Sequence, residues 1–200
     1  MRLAIIAINL LLFVILMTTA VFAESYPVFN KFVEAPKQHI KFCKKWPNHC
    51  VVIGTKQPAK FTIDTLAKLT HINAWGNRVI KQVEDSKKED LWQFPVDYKG
   101  DCEDIQIFKR AHLLAEGFSS SQLLLTMVWS EKTKWHAVLV VRTTEGEYVL
   151  DNITNEIMSV EETIISKGYI YYWRQSVVDP KQWVELTSAN FNTSFFKERK

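Results

Sequence analysis

The chain has 200 residues, and its 25 Lys and Arg residues against 22 Asp and Glu give a net charge of only +3 at neutral pH. Basic residues are interleaved with acidic ones and form no patch, which excludes a nucleic-acid-binding surface of the usual electrostatic kind. The length is sufficient for one domain with an apolar core.

The first 23 residues have the features of a secretory signal sequence. Arg2 supplies the positive charge, residues 3–17 are almost wholly apolar, and Val21 and Ala23 precede a typical cleavage site. We therefore expect cleavage after Ala23, export to the periplasm or the exterior, and a single domain at residues 24–200. An uncleaved membrane anchor is the alternative, because the apolar stretch is just long enough to span a bilayer.

Three cysteines are an odd number for an exported protein. Cys43 and Cys50 lie close together in FCKKWPNHC, on either side of the sequence Trp-Pro-Asn, which predicts a turn. An oxidising compartment permits a short disulfide between them. Cys102 would then remain a free thiol. Burial is the commonest fate of a free cysteine. Three nearby acids argue against a core position: Asp101, Glu103 and Asp104.

The first half of the chain predicts a helix that begins after Thr62. Apolar residues recur at helical spacing from Leu66 to Val83, and Thr62 can cap the helix. Asn73 and Asn77 lie one turn apart on it. The charged segment EDSKKED follows, and then a loop rich in aromatic residues in which we expect the tryptophan of DLWQFP to be a buried packing residue.

A second helix is predicted directly after Asp101, a favourable N-cap residue, and ends at Gly117. Cys102 would lie in its first turn, where unpaired backbone N–H groups and the helix dipole favour a thiolate. The flanking acids act in the opposite direction, because their negative charge raises the pKa of a thiol. The two local effects therefore oppose each other.

The second half of the chain predicts strands. Apolar and aromatic runs there have strand length, and Thr144 to Gly146 is a hairpin signal between the second and third runs. The runs span residues 123–129, 135–143, 147–153 and 168–177. A helix followed by antiparallel strands indicates an α+β fold, in which the helix bearing Cys102 packs on an antiparallel sheet.

The predicted hairpin brings a histidine and an acid together. If its loop is even-numbered, with Thr143 opposite Gly146, His136 and Asp151 point to the same side of the sheet at adjacent or diagonal positions. An odd-numbered loop without a bulge would separate them. A thiol such as Cys102 needs an imidazole to take its proton and a carboxylate to orient that imidazole.

These motifs resemble a known family. GDCED before a helix, then HAVLVVR, then VLDN resemble the bacterial transglutaminase-like cysteine proteinases, which include periplasmic LapG-type proteases. FCKKWPNHC, INAWGNRVI and DLWQFP resemble further motifs of the family, and the resemblance covers residues 42–175. It implies a papain-like core with Cys102 as the nucleophile, His136 as the base and Asp151 as the orienting acid.

The resemblance also implies a metal ion and partners. In LapG-type members the acids that flank the nucleophile bind calcium, and these correspond to Asp101 and Glu103 here. A bound cation would neutralise both carboxylates and allow the thiol to ionise. The alternative is that Asp101 only caps the helix while Glu103 interacts with its dipole. The implied partners are a protein substrate such as a surface adhesin, and an inhibitory membrane receptor.

The sequence therefore favours an exported, calcium-dependent cysteine endopeptidase that cuts a periplasmic or surface protein. A transglutaminase or amidase would use the same three residues through the same thioester and stays open as an alternative. A non-catalytic peptide-binding module is the other alternative, and the intact set of Cys102, His136 and Asp151 argues against it. The loop between Pro95 and Gly100 is short for the family, which leaves the substrate undetermined.

Overall fold

The computed structural model describes residues 28–85 and 90–187. The predicted signal sequence at residues 1–23 and its cleavage site lie outside the described residues. Within the described ranges, no helix combines the length and the apolar character needed to cross a bilayer.

Antiparallel strands form the main sheet of the described residues. In chain order, all the strands of the described residues are β1 (Val28–Val33), β2 (Lys81–Gln82), β3 (Lys99–Gly100), β4 (Leu123–Ser130), β5 (Lys134–Thr143), β6 (Gly146–Leu150), β7 (Met158–Ser159), β8 (Ile170–Gln175) and β9 (Trp183–Thr187). The main sheet has the order β1-β9-β8-β4-β5-β6-β7, with every neighbouring pair antiparallel. The short strands β2 and β3 form a separate parallel pair.

The helices of the described residues are α1 (Lys37–Lys45), α2 (Ile63–Val79), α3 (Cys102–Ala115) and α4 (Val160–Lys167). The predicted cap of α2 is present, because the side chain of Thr62 accepts a hydrogen bond from the backbone N of Thr65 at 3.1 Å. Helix α2 ends at Val79, before the predicted Val83, because the chain turns there into β2 and pairs with β3. The sequence did not predict α1 or α4.

Both faces of the sheet are covered by apolar side chains. One cluster joins Leu125 and Leu139 of the sheet to Leu69 of α2 and Leu113 of α3. The other cluster joins further residues of β4, β5 and β6 to Val160 of α4. Burial on both faces explains why β4 and β5 are nearly continuous apolar runs in the sequence. The predicted α+β arrangement, with α3 packed on an antiparallel sheet, is confirmed.

A disulfide joins Cys43 to Cys50 in the structure, while Cys102 is a free cysteine. The disulfide connects the end of α1 to a short 3-10 helix, Pro47–His49, where the sequence predicted a turn. Trp92 is buried in the cluster beneath the sheet, as expected.

Candidate active site

Helix α3 begins at Cys102, and Asp101 occupies the N-cap position. The side chain of Asp101 makes no capping hydrogen bond. It accepts a hydrogen bond at 3.3 Å from the backbone N of Asp85. Asp101 is therefore the N-cap residue, as predicted, although its side chain does not bond to the N–H groups of the first turn.

The Cys102 thiol lies between an acid and a strand. Its Sγ donates to Oε2 of Glu103 at 3.2 Å and accepts a hydrogen bond from the backbone N of Ala137 at 3.4 Å. Ala137 follows His136 in β5. The packing of α3 on the sheet therefore brings the thiol against the strand that carries the predicted base.

His136 and Asp151 form a buried pair. Nε2 of His136 lies 2.9 Å from Oδ1 of Asp151, and both residues are at most 5% exposed. The hairpin has the predicted register, with Thr143 opposite Gly146, which keeps both side chains on one side of the sheet. Because a carboxylate accepts, Nε2 carries the proton of this bond and Nδ1 is left as the acceptor.

The charge of Asp151 is stabilised by its hydrogen bonds. Burial by itself raises the pKa of this carboxyl, but the bonds from His136, the backbone N of Ile153 and the hydroxyl of Tyr169 outweigh burial, and the pKa lies below its usual value. The Tyr169 hydroxyl donates to Oδ2 at 2.8 Å. Asp151 is therefore a charged acceptor that fixes the orientation of the imidazole.

Sequence reasoning missed Tyr169. Burial and the charge of Asp151 raise its pKa, so its hydroxyl keeps its proton and donates. The tyrosine ring also packs 5.9 Å from the ring of His136. The aromatic run before and within β8 was visible in the sequence, but its pattern does not indicate which ring lies against Asp151.

The two asparagines of α2 hold the segment that follows β6. Nδ2 of Asn77 donates to the backbone O of Asp151 and of Thr154, each at 3.0 Å. Nδ2 of Asn73 donates to the same Thr154 oxygen at 3.0 Å, and Nζ of Lys109 donates to Oδ1 of Asn73 at 2.8 Å. Helices α2 and α3 thereby fix the backbone from which the Asp151 side chain reaches His136.

Lys109 is fully buried between α3 and α2. Burial lowers the pKa of its amine to about 7, against the opposing effect of the charge of Asp151. A Cβ on Gly76 would lie 3.1 Å from two carbons of the Lys109 side chain. The glycine in the middle of α2, which is unfavourable by helix propensity, therefore makes room for this buried side chain.

The acids around Cys102 are buried, which corrects the expectation that they lie outside the core. Asp101 and Glu103 are each 6% exposed, and Asp104 is 1% exposed. Burial raises the pKa of Glu103 to about 10 and that of Asp104 to about 8, and it raises the pKa of Asp101 as well. Ionising this group of carboxyls is costly unless a positive charge or hydrogen bonds compensate.

Two of these acids, Asp101 and Glu103, lie together with a third, Asp85. Asp85, Asp101 and Glu103 each offer a carboxylate oxygen within 4.8 Å of the other two. Oδ1 of Asp101 is buried and has no hydrogen-bond partner within the part of the chain that the structure describes. The sequence did not identify Asp85, because the acidic segment EDSKKED gives no sign of which acid folds back toward the nucleophile.

A sequence model of the bacterial transglutaminase-like cysteine proteinases matches residues 29–190. The chain belongs to this family. It is accordingly a cysteine protease, and the family resemblance predicted from its motifs is confirmed. A comparison with curated proteins gave no match.

Solved structures of a family protease share the fold. Calcium-bound LapG of Legionella pneumophila superposes with a TM-score of 0.53 at 21% identity, covering 68% of this chain and 81% of that one. A second structure of Legionella pneumophila LapG gives a TM-score of 0.51 at 24% identity, covering 66% of this chain and 72% of that one. The expected transglutaminase-like core is therefore confirmed.

The surroundings of the Cys102 thiol disfavour its ionised form. Burial raises the pKa of Cys102 well above its ordinary value, the negative charge of Glu103 raises it further, and the hydrogen bond from Ala137 acts in the opposite direction. The structure thus places the Cys102 thiol against the backbone N of Ala137, the residue that follows the paired His136 in the chain. It also places Glu103, which clusters with Asp85 and Asp101, beside the thiol. Ionisation of the thiol needs a base or a compensating positive charge.

Proposed function

We propose that this protease is an exported endopeptidase in which Cys102 is the nucleophile, His136 the general base and Asp151 the acid that orients the imidazole. The supporting observation is the 2.9 Å bond between His136 and Asp151, next to the contact of Ala137 with the Cys102 thiol. With Nε2 occupied by Asp151, Nδ1 of His136 is available to accept the thiol proton.

The proposed reaction is an ordinary acyl transfer to water. The Cys102 thiol gives its proton to His136, and the resulting thiolate attacks the scissile carbonyl carbon. The backbone N–H of Cys102 at the start of α3 stabilises the oxyanion. The imidazolium gives its proton to the leaving amine as the C–N bond breaks, and a thioester remains. Water then attacks the thioester, releases a carboxylate and regenerates the thiol.

The acid cluster fits a calcium ion. Asp85, Asp101 and Glu103 supply only oxygen donors, which hard divalent cations prefer. The unpartnered, buried oxygen of Asp101 is a free ligand position, and one Legionella pneumophila relative is calcium-bound. When bound, the cation would neutralise the carboxylates that disfavour a thiolate. Glu103 would be one of its ligands, and His136 would take the proton of the Cys102 thiol.

We further propose that the protein acts outside the cytoplasm as one domain at residues 24–200. The leader at residues 1–23 and the disulfide between Cys43 and Cys50 support export to the periplasm or the exterior. The proposed substrate is a periplasmic or surface protein. The family resemblance extends this to a surface adhesin as the substrate and to an inhibitory membrane receptor as a partner.

Identification of cleavage fragments tests the proposed endopeptidase activity. The mature protein and Cys102→Ser are each incubated, with calcium, with the secreted and surface proteins of the source cells, and new protein termini are identified by mass spectrometry. We expect termini that appear only with the parent enzyme. Identical termini in both samples would refute the proposal.

Alkylation of Cys102 tests the roles of the other two residues. His136→Ala should lose most of the reactivity of the thiol toward iodoacetamide at neutral pH, because the base is gone. Asp151→Asn should keep the fold and still lower turnover by at least about 100-fold, because the imidazolium loses its charged partner. Parent-like turnover of Asp151→Asn would exclude Asp151 from the mechanism.

A further inference from the structure

Lys109 is a buried charged residue that the proposed reaction does not use. Its side chain is 0% exposed, and its Nζ donates to Oδ1 of Asn73 at 2.8 Å. Within the residues that the structure describes, no carboxylate forms an ion pair with it. Burying an ammonium group is costly in free energy, and an apolar residue of similar length would fill the same space at less cost. The charge of Lys109 therefore indicates a role other than packing.

The surroundings of the amine contain hydrogen-bond acceptors. An ammonium group has three N–H donors, and Asn73 accepts from one of them. Oε1 of Gln106 and Oδ1 of Asn77 are buried and have no hydrogen-bond partner within the described part of the chain. Gln106 lies one turn before Lys109 on α3, and Asn77 lies one turn after Asn73 on α2, so each shares a helix face with its neighbour. Carbonyl oxygens favour the charged form of the amine, which has only donors.

Asn73 links Lys109 to the segment after β6. Because Oδ1 of Asn73 accepts from the ammonium group, Nδ2 is directed to the backbone O of Thr154, 3.0 Å away. Asn77 donates to the same oxygen and to the backbone O of Asp151. Lys109 thereby fixes which end of the Asn73 amide faces the segment that carries Asp151.

The charge of Lys109 also acts on Asp151 through space. Burial lowers the pKa of the Lys109 amine to about 7, and the negative charge of Asp151 opposes this by favouring the ammonium form. The interaction is mutual, so the ammonium group favours the ionised form of Asp151. Asp151 accepts the hydrogen bond that orients the imidazole of His136. A positive charge at Lys109 therefore supports the carboxylate on which the proposed base depends.

The elements packed on α3 carry other titratable groups. They are Cys102, Glu103, Asp104, Arg110 and His112 of α3 itself, Asp64, Lys68, His71 and Arg78 of α2, Lys99 of β3, and Lys134, His136 and Arg142 of β5. Strand β4 has none. Those of α2 are exposed or half-buried. The charge that acts on the Lys109 amine is that of Asp151.

On these grounds, and resting on the proposed function, we infer that Lys109 is a positioning residue of the protease. Its bond to Asn73 fixes the segment that carries Asp151, and its positive charge favours the ionised carboxylate that orients His136. Lys109 thus acts on the reaction through Asn73 and Asp151 rather than on the thiol itself.

Substitutions that separate the charge of Lys109 from its hydrogen bond test the inference. Lys109→Met removes both, Lys109→Gln removes the charge and keeps a donor for Asn73, and Lys109→Arg keeps the charge. The readout is the rate at which iodoacetamide alkylates Cys102, measured against pH. We expect the acidic limb of this profile to move to higher pH by about half a unit in Lys109→Met and Lys109→Gln. Lys109→Arg should keep the limb of the parent protein.

The direction of the shift follows from the charges. The amine of Lys109 has a pKa of about 7, so the parent protein holds the ammonium form throughout the acidic limb. Without this charge the ionised form of Asp151 is less favourable, and its carboxyl takes up a proton at higher pH. Where the rate changes tenfold per pH unit, a shift of about half a unit lowers the rate about threefold at a fixed pH.

A matched lysine separates this role from a general effect of the substitution. Lys68→Met makes the same change at a half-buried lysine of α2 that pairs with Asp64, and it should keep the parent limb. Urea denaturation verifies that each variant is folded, and if Lys109→Met fails to fold, the comparison of Lys109→Gln with Lys109→Arg decides. A parent-like limb in Lys109→Gln, or an equal shift in Lys109→Gln and Lys109→Arg, would overturn the inference.

Failure of the inference and failure of the proposed function give different results. If His136→Ala and Asp151→Asn are alkylated like the parent protein, the proposed function fails and the role of Lys109 fails with it. If both variants react slowly while Lys109→Gln and Lys109→Met keep the parent limb, only the inference about Lys109 is overturned.

Discussion

Asp151 is buried, and it is charged because three donors from different parts of the chain converge on it. His136 comes from β5, the backbone N of Ile153 from the segment after β6, and the hydroxyl of Tyr169 from the approach to β8. Hydrogen bonds to a charged group contribute about 1.5–3 kcal/mol each. Loss of one donor should therefore change protonation before it changes the fold.

Tyr169→Phe removes one donor and keeps the ring that packs on His136. The hydroxyl stabilises the charged carboxylate and lowers the pKa of Asp151, so its loss raises that pKa. We expect the acidic limb of the activity profile against pH to move to higher pH by about one unit. The control is Tyr171→Phe, a buried tyrosine whose hydroxyl contacts Thr163. Superimposable limbs for Tyr169→Phe and the parent would contradict this role.

Helix α2 bonds to the backbone of the site although it is far from Asp151 in the sequence. Asn77 is 74 positions from Asp151, yet it bonds to the backbone oxygen of that residue. Lys109 of α3 joins the same network through its bond to Asn73 of α2. The helix therefore positions the orienting acid without contacting the thiol.

Asn77→Ala should disturb the segment after β6. Two backbone oxygens lose a donor, and we expect a loss of about 2 kcal/mol in the free energy of unfolding, measured by urea denaturation. Alkylation of Cys102 at neutral pH should slow by roughly tenfold or more, because Asp151 no longer holds the imidazole of His136 in place. Asn48→Ala, an exposed asparagine in the 3-10 helix, is the control. Parent-like alkylation of folded Asn77→Ala would show that the network is only structural.

The disulfide between Cys43 and Cys50 is a covalent link between two elements. It ties α1 to the 3-10 helix, whose His49 carbonyl accepts a hydrogen bond from Arg110 of α3 at 2.9 Å. The loop is short, so the expected stabilisation is modest, on the order of 2 kcal/mol.

Thiol counting checks this pairing. Denatured, unreduced mature protein should contain one reactive thiol, Cys102, and reduced protein should contain all three. Three reactive thiols before reduction would exclude the disulfide. Reduction should also lower the urea midpoint, and Cys102→Ser serves as the control that loses the single thiol and keeps the midpoint shift.

At the scale of the whole molecule, buried charge governs stability. Asp101 and Glu103 destabilise the folded state at neutral pH, because burial raises their pKa values and unfolding releases these carboxyls to water. A ligand that binds only the folded state reverses this cost by mass action.

Calcium should therefore stabilise the metal-free protein. At a concentration 100 times the Kd, binding adds about 2.7 kcal/mol to the free energy of unfolding, which corresponds to a rise of about 5–10 °C in the Tm. Asp85→Asn should lose most of this rise, whereas Asp64→Asn, an exposed acid in α2, should retain it. Activity should fall on chelation and recover with calcium. A Tm that neither calcium nor the chelator changes would refute the calcium site.

The buried His39 predicts a second effect on stability: its contribution to the free energy of unfolding decreases as the pH is lowered. Burial, helped by the charge of Arg110, lowers its pKa from 6.5 to about 3, and its Nδ1 accepts a hydrogen bond from Nε1 of Trp183. The unfolded chain takes up a proton on His39 below pH 6.5, whereas the folded chain does so only near 3. The stabilisation that neutral His39 gives the folded state is fully present above its unfolded pKa. It is lost as the pH falls toward the folded pKa, by about 1.4 kcal/mol per pH unit.

Urea denaturation between pH 7 and pH 4.5 measures this dependence. His39→Gln can still accept from Trp183 and should show a shallower loss of stability toward acid than the parent. The buried acids act in the opposite direction, since a raised pKa stabilises the folded state at low pH. The difference between parent and variant therefore isolates His39, and parallel curves would exclude it.

Much of the site could be predicted from the sequence, because the deciding features are local. A cysteine directly after an N-cap position lies in the first turn of a helix whatever the rest of the fold does. The pairing of His136 with Asp151 needed only the two-residue period of strands and an even hairpin loop. The free thiol and the short disulfide followed from cysteine spacing, and the motifs in chain order were sufficient for the family.

Tertiary structure decided the remainder, because the contacts join residues that are far apart in the chain. Nothing local shows that Tyr169 bonds Asp151, that Asn77 holds the backbone of the same acid, or that Asp85 turns back to Asp101. Local propensity placed the acids of GDCED at a helix start in water, where they would serve as cap and dipole partners. Packing of α3 against the sheet buried them instead, and burial is what raises the pKa of the Cys102 thiol.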